Sequence, residues 1–318
     1  MMKNTQEKLF TKPIHVLAFS LICTILWGSA FPCIKIGYKL FALEGNDISG
    51  KLVFAGIRFF AAGLITLAIY MIGSKKFVLP DRSNRKGIFL VSITQTVLEY
   101  LCFYIGMSNT TGVKGSVLSA SSSFFVVILA HIFYKNDKIS LRKLIGCMIG
   151  FCGIIAINLN GASSTDLSFH FLGDGMMILS ALSFSVGSLI GKNVCQKSDP
   201  MMVTGYQLTL GGILLILIGF VTGGRLNHVT GSGILLLSYM ALLSAIAFTI
   251  WTILSKYNKI TKVAIYSFLT PVFGSLLSAL FLGEKLFTLS NGVALVLVCV
   301  GIYTVNAVKK TNTEKVRN

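Results

Sequence analysis

The chain has 318 residues, 54% of them hydrophobic and only 12% charged, with a net charge of +17 and a mean hydropathy of +0.78. Soluble domains carry roughly 25% charged residues, so most of this chain cannot be a soluble globular fold. The Lys and Arg excess lies in short gaps between apolar runs, which excludes a basic face for nucleic acid and fits a membrane protein with basic loops on one side.

A membrane-crossing helix needs about 20 mostly apolar residues. In chain order, such runs are predicted at 15–35, 52–72, 87–107, 115–134, 141–159, 172–192, 202–222, 233–254, 263–282 and 288–308. The first run is too long for a cleavable leader and has no small-residue cleavage pattern, so it is expected to stay as a helix. The longest polar stretch between runs, 160–170, reads as a linker between five-run units at 15–159 and 171–308. Twenty-one of the 28 lysines and arginines fall in the loops and ends on the side of the termini, and five on the opposite side. Basic short loops stay in the cytoplasm, so both termini are expected there, in a multi-pass protein of the cell membrane. The seven cysteines, with no CxxC and no His at ligand spacing, read as small apolar residues. No metal ligand set and no cofactor motif is expected.

The chain contains its own sequence twice. Residues 137–158 and 284–306 share an acidic-Lys start and the ending Gly-Ile-x-x-x-Asn. The earlier runs match as well. WGSAFPCIK (Trp27 to Lys35) pairs with FSVGSLIGK (Phe184 to Lys192), Gly56 and Gly63 pair with Gly205 and Gly212, and Gly87-Ile88 pairs with Gly233-Ile234. Five runs is an odd number, so the second copy must enter the membrane from the opposite side. The expected fold is an all-α polytopic membrane protein: ten transmembrane helices as two inverted five-helix repeats. Inverted repeats of this kind are the architecture of alternating-access carriers.

Trp27-Gly28, Arg58, Pro271 and Gly283-Glu284-Lys285, set in two tandem five-helix units, resemble the drug/metabolite transporter superfamily, EamA-like branch. Two positions depart from its pattern: Phe124 aligns with Pro271, and Lys135-Asn136-Asp137 replaces the Leu-Gly-Glu of the second copy. The resemblance implies a secondary carrier with a central cavity. It leaves the solute open, because such carriers move amino acids, sugars, nucleotides, vitamins and drugs.

Glu99 stands about 18 Å along its helix at ~1.5 Å per residue, near mid-membrane. An ionisable group there is a functional hypothesis by default. Two readings stand: a site that binds and releases a proton or cation, and a structural partner of Arg58 or Lys35. Arg58 has three: snorkelling, pairing with an acid, or attracting an anionic group of the solute. Gln95 lies one turn before Glu99 on the same face. The serine run that includes Ser119, Ser122 and Ser123, with the segment Tyr266 to Pro271 as its repeat counterpart, reads either as close packing or as cavity lining. Trp27, Tyr104, Gln207 and Trp251 are further cavity candidates. Pro32 and Pro271 remove backbone hydrogen bonds within spans and are hinge candidates. There is no phosphate loop, HExxH or GxSxG. The expected activity is secondary transport, not enzymatic: a small organic metabolite or drug-like solute moved across the cytoplasmic membrane, outward, with protons as the coupling ion. The alternatives are a gradient-independent facilitator and, remotely, a membrane-embedded enzyme or sensor. The expected partners are the solute and the bilayer, with no nucleic acid and with monomer and homodimer both open.

Overall fold

The computed structural model describes residues 2–110, 115, 118–158, 169–282 and 289–306. Within them the protein is helical, with no strand. Ser116, the 160–168 part of the expected linker and Gly283-Glu284-Lys285 lie outside the described residues. A short helix α1 (Met2–Thr11) leads into α2 (Pro13–Leu40), α3 (Ile48–Ser74) and α4 (Arg82–Ser108). Then come α5 (Leu118–Phe133), α6 (Leu141–Asn158), α7 (Phe171–Lys197), α8 (Pro200–Val221), α9 (Gly231–Tyr257), α10 (260–282) and α11 (Leu289–Asn306). Among the described residues seven helices are long and apolar enough to cross a membrane: α2, α3, α4, α7, α8, α9 and the stretch Ile260–Ser278 of α10. The other apolar helices are shorter over their described lengths.

Local chemistry sets the helix starts. The Asp47 carboxylate accepts from Gly50 N at 2.6 Å to cap α3, and Thr230 Oγ1 accepts from Gly233 N at 3.2 Å to cap α9. Asp199 caps α8, with Pro200 at its first position where no N–H is needed. Helix α2 runs unbroken through Pro32. Ahead of Pro271 the chain tightens to a 3-10 turn over Ile265–Phe268, where the proline ring would crowd the Ser267 carbonyl one turn back. Helix α4 widens to a π-turn over Ile93–Leu98, directly before Glu99.

Helix α3 packs along α8, and α6 along α11. Glycines allow the first approach, and they do so reciprocally. A methyl on Gly56 would meet the Gly212 carbonyl oxygen at 2.8 Å, and one on Gly212 would meet that of Gly56 at 2.8 Å. One on Gly63 would meet the Gly205 carbonyl oxygen at 2.8 Å. Around this spine α2 packs on α9 and α10, while α4 and α5 pack on α7. The bundle therefore has two ends. One holds the starts of α2, α6 and α10 and the ends of α7 and α9. The far end holds the starts of α3, α7 and α9.

Candidate functional site

A cavity of ≈ 190 Å³ opens among α2, α3, α4, α5, α7, α9 and α10. Its walls are mostly aromatic: Trp27 and Phe31 from α2, Tyr100 and Phe103 from α4, Phe184 from α7 and Phe248 from α9. Polar groups are few and come from separate helices: Arg58, Glu99, Ser119, Ser122, Ser180, Ser267 and Thr270. Apolar walls with sparse polar points are the usual form of a small-molecule site.

Glu99 and Arg58 share this cavity without pairing. The Glu99 Oε2 atom is buried and has no hydrogen-bond partner, and among the described residues Glu99 forms no ion pair. A buried carboxylate oxygen without a partner costs several kcal/mol at order of magnitude. Arg58, 2% exposed, donates from Nε to Ser244 Oγ at 2.8 Å, and its guanidinium carbon lies 5.0 Å from the Phe59 ring centroid. Its charge also acts on the hydroxyls of Tyr38, Tyr100 and Tyr104. The side chain is held inside the bundle and does not snorkel to an interface.

The serine run and its counterpart meet directly. Ser123 Oγ lies 2.6 Å from Ser267 Oγ and donates to the Ala264 carbonyl at 3.1 Å, joining α5 to α10. Ser122 and Ser267 line both the main cavity and a small void of ≈ 10 Å³ beyond it. Ser123, Ser188, Ser255, Trp251, Phe184 and Ile260 complete that void, which points toward the end holding the starts of α2 and α10. Trp251 supports the Trp27 ring at 4.9 Å, edge on.

The structure thus brings Trp27, Arg58, Glu99, Ser119, Ser122 and Pro271 to one cavity, and Ser123 and Trp251 to the void beside it. The remaining candidates point elsewhere. Gln95 donates to Ser188 Oγ at 3.1 Å and Gln207 accepts from Thr96 Oγ1 at 3.0 Å. The π-turn separates Gln95 from the face of Glu99, because its wider turn breaks the four-residue spacing. Tyr104 and Tyr266 are buried among core side chains, and Pro32 lies inside α2 away from the cavity. Ser180, Phe184 and Phe248 were not singled out by sequence. The signal for Phe184 was present, since it is the repeat counterpart of Trp27. Among the described residues no group of three or more His, Cys, Asp or Glu is placed to hold a metal ion.

Comparison with known proteins adds the family. The model of the EamA-like transporter family matches residues 15–159 and 171–307. A WAT1-related chloroplastic protein of Arabidopsis thaliana is 27% identical over 293 residues, covering 88% of this chain and 66% of that protein. A protein named as an uncharacterized transporter of Archaeoglobus fulgidus is 26% identical over 289 residues, covering 89% and 94%. The inner membrane transporter YedA of Escherichia coli is 28% identical over 295 residues, covering 88% and 89%. A solved crystal structure shares the fold with a TM-score of 0.75 at 14% identity, covering 93% of this chain and 97% of that one.

Proposed function

The chain belongs to the EamA-like transporter family, a multi-pass helical membrane protein, and from that premise we propose that it is a proton-coupled secondary carrier of a small organic solute. It works by alternating access and moves the solute outward across the cytoplasmic membrane. The single observation that carries the reading is Glu99: a mid-helix carboxyl on a cavity wall, with one buried oxygen that no protein group satisfies. Such a group can take a proton or a cationic group of the solute in turn, which is the exchange a coupled carrier needs. Arg58 offers a fixed positive charge on the same cavity, and the aromatic rings offer faces for an apolar body. The outward direction follows family analogy.

The inverted-repeat reading has its own support. The reciprocal contact of Gly56 with Gly212, and the approach of Gly63 to the Gly205 carbonyl, are consistent with a two-fold axis between α3 and α8. The Lys and Arg distribution puts the end of the bundle near residue 13 in the cytoplasm.

The test has two steps. Intracellular and extracellular metabolite pools are compared in cells with and without the protein, which identifies the solute. Its flux is then measured in proteoliposomes under an imposed pH gradient. Gradient-driven flux should disappear in Glu99→Gln while expression and folding persist. Unchanged gradient-driven flux in that variant would falsify the coupling role, and flux indifferent to the gradient in the parent protein would make the chain a facilitator.

A further inference from the structure

Two opposite charges share one cavity, and among the described residues neither forms an ion pair. Arg58 on α3 is fixed from behind. Its Nε donates to Ser244 Oγ at 2.8 Å, Ser244 in turn donates to the Met240 carbonyl at 2.8 Å, and the Phe59 ring centroid lies 5.0 Å from the guanidinium carbon. Among the described residues Arg58 makes no other hydrogen bond, so its two Nη groups have no protein acceptor. Glu99 on α4 carries the opposite charge, and its buried Oε2 has no donor. Ser180 on the same cavity donates to the Glu99 backbone carbonyl at 2.9 Å and not to the carboxylate. A second buried oxygen on this cavity, Thr270 Oγ1 on α10, also has no partner. The Tyr100 hydroxyl is within electrostatic reach of both Arg58 and Glu99, so the two charges act across one pocket and not at separate ends of the bundle. Between these polar points the walls are rings: Trp27, Phe31, Phe103, Phe184 and Phe248.

We propose that the solute is a compact zwitterion: Arg58 holds its carboxylate, Glu99 and Thr270 hold its primary ammonium, and the rings hold a short apolar body. The proposal rests on the carrier reading, in which Glu99 takes a proton or a cationic group in turn, and it names the class of the cargo. A solute with the carboxylate alone would leave the Glu99 oxygen buried without a donor. One with the ammonium alone would leave the Arg58 Nη groups without an acceptor. Either way a buried charge goes unmatched. The fork of a guanidinium matches the two oxygens of a carboxylate. A phosphate brings more negative charge, and among the described lining residues no Lys, His or second Arg answers it. A primary ammonium has three N–H to place, and the Glu99 carboxylate and Thr270 Oγ1 are the acceptors left open on this cavity. Size limits the body. The cavity of ≈ 190 Å³ is smaller than the roughly 300–1,000 Å³ of drug-sized sites, so the cargo is the size of a small metabolite.

The experiment reads binding to the purified full-length chain in detergent, by isothermal titration calorimetry, and needs no flux. The probes share an apolar body and differ in charge: leucine, leucinamide with the ammonium alone, and isocaproate with the carboxylate alone. Phenylalanine, its amide and hydrocinnamate form a second set. In at least one set the parent should bind the zwitterion about ten- to hundredfold tighter than either singly charged probe, the factor that one unmatched buried group implies. Glu99→Gln should turn the preference to the carboxylate probe, and Arg58→Gln should turn it to the amide. A folding defect weakens all three probes together and cannot produce opposite reversals. Equal affinity for the three probes, or no binding of any, overturns the zwitterion, while the comparison of metabolite pools still decides whether the chain is a carrier. A parent that prefers the carboxylate probe carries an organic anion, and one that prefers the amide carries an organic cation; both results overturn the proposal. Opposite reversals without gradient-driven flux of the bound zwitterion in proteoliposomes would uphold the site and overturn the carrier reading.

Discussion

The ends of α7 and α9 and the ends of α2 and α4 are built from matching sequence, yet they are joined differently: Tyr38 and Tyr104 hydrogen-bond between α2 and α4, while the first pair is joined through backbone carbonyls. Where α7 reaches α9, Lys192, Gln196 and Lys256 all donate to backbone carbonyls across the gap between segments. Where α2 approaches α4, the cavity's wall includes Phe31, which is 38% exposed. Sequence symmetry therefore does not produce a symmetric molecule. Side-chain-to-carbonyl bonds gather at that end, while α3 packs along α8 and α6 along α11 through the bundle.

The largest effect should come from freezing that difference. Cysteines at Gln196 and Lys256, joined by a short reducible crosslinker, should bring solute flux to background, and reduction should restore it. The parent chain treated with the same reagent should transport normally. Persistent flux through crosslinked protein would show that this end never needs to open. Next in size is a blow to the spine. Gly212→Leu forces a side chain against the Gly56 carbonyl and should destabilise the protein by about 1–3 kcal/mol, read as a lower melting temperature in detergent. Gly73→Ala, where nothing lies within 4 Å of an added methyl, should leave the melting temperature in place. Equal melting temperatures for the two variants would mean that the spine is not what both ends share.

Much of this arrangement was legible in the residues. Hydropathy and the Lys/Arg distribution point to a polytopic helical protein, and the duplicated glycines mark the helices that touch. Glu99, Arg58, Trp27 and the serine run were readable because polar groups in apolar runs are rare enough to stand out. Gln95 and Gln207 are equally rare, yet they bond Ser188 and Thr96 inside the bundle. A polar residue in a span signals that a partner exists, and it does not distinguish a solute from a neighbouring helix. The π-turn at Ile93–Leu98 was not legible, since no glycine or proline marks it and tertiary contact sets it. The asymmetry between the two ends was not legible either, because matching segments acquire different partners only in the folded bundle.

Two smaller changes sharpen the contrast from either side. Asp137 is 2% exposed and accepts from Lys143 Nζ at 2.5 Å as well as from Thr261. Asp137→Asn keeps the acceptor oxygen but removes the charge beside Lys143, so it should lower the melting temperature in detergent by less than Gly212→Leu does. A fall matching that of Gly212→Leu would make the Asp137 contacts as important to the fold as the α3–α8 spine. The smallest effect is expected toward the opposite end, where Ser29 Oγ and Tyr239 Oη lie 2.9 Å apart between α2 and α9. That bond ties two helices that already pack together, so its loss should leave their interface in place. Ser29→Ala should cost about 0.5–1.5 kcal/mol, the net worth of one neutral hydrogen bond. It should lower the melting temperature slightly and leave solute flux where it was. Changed flux would extend the region on which transport depends from the helix ends into the contact between α2 and α9.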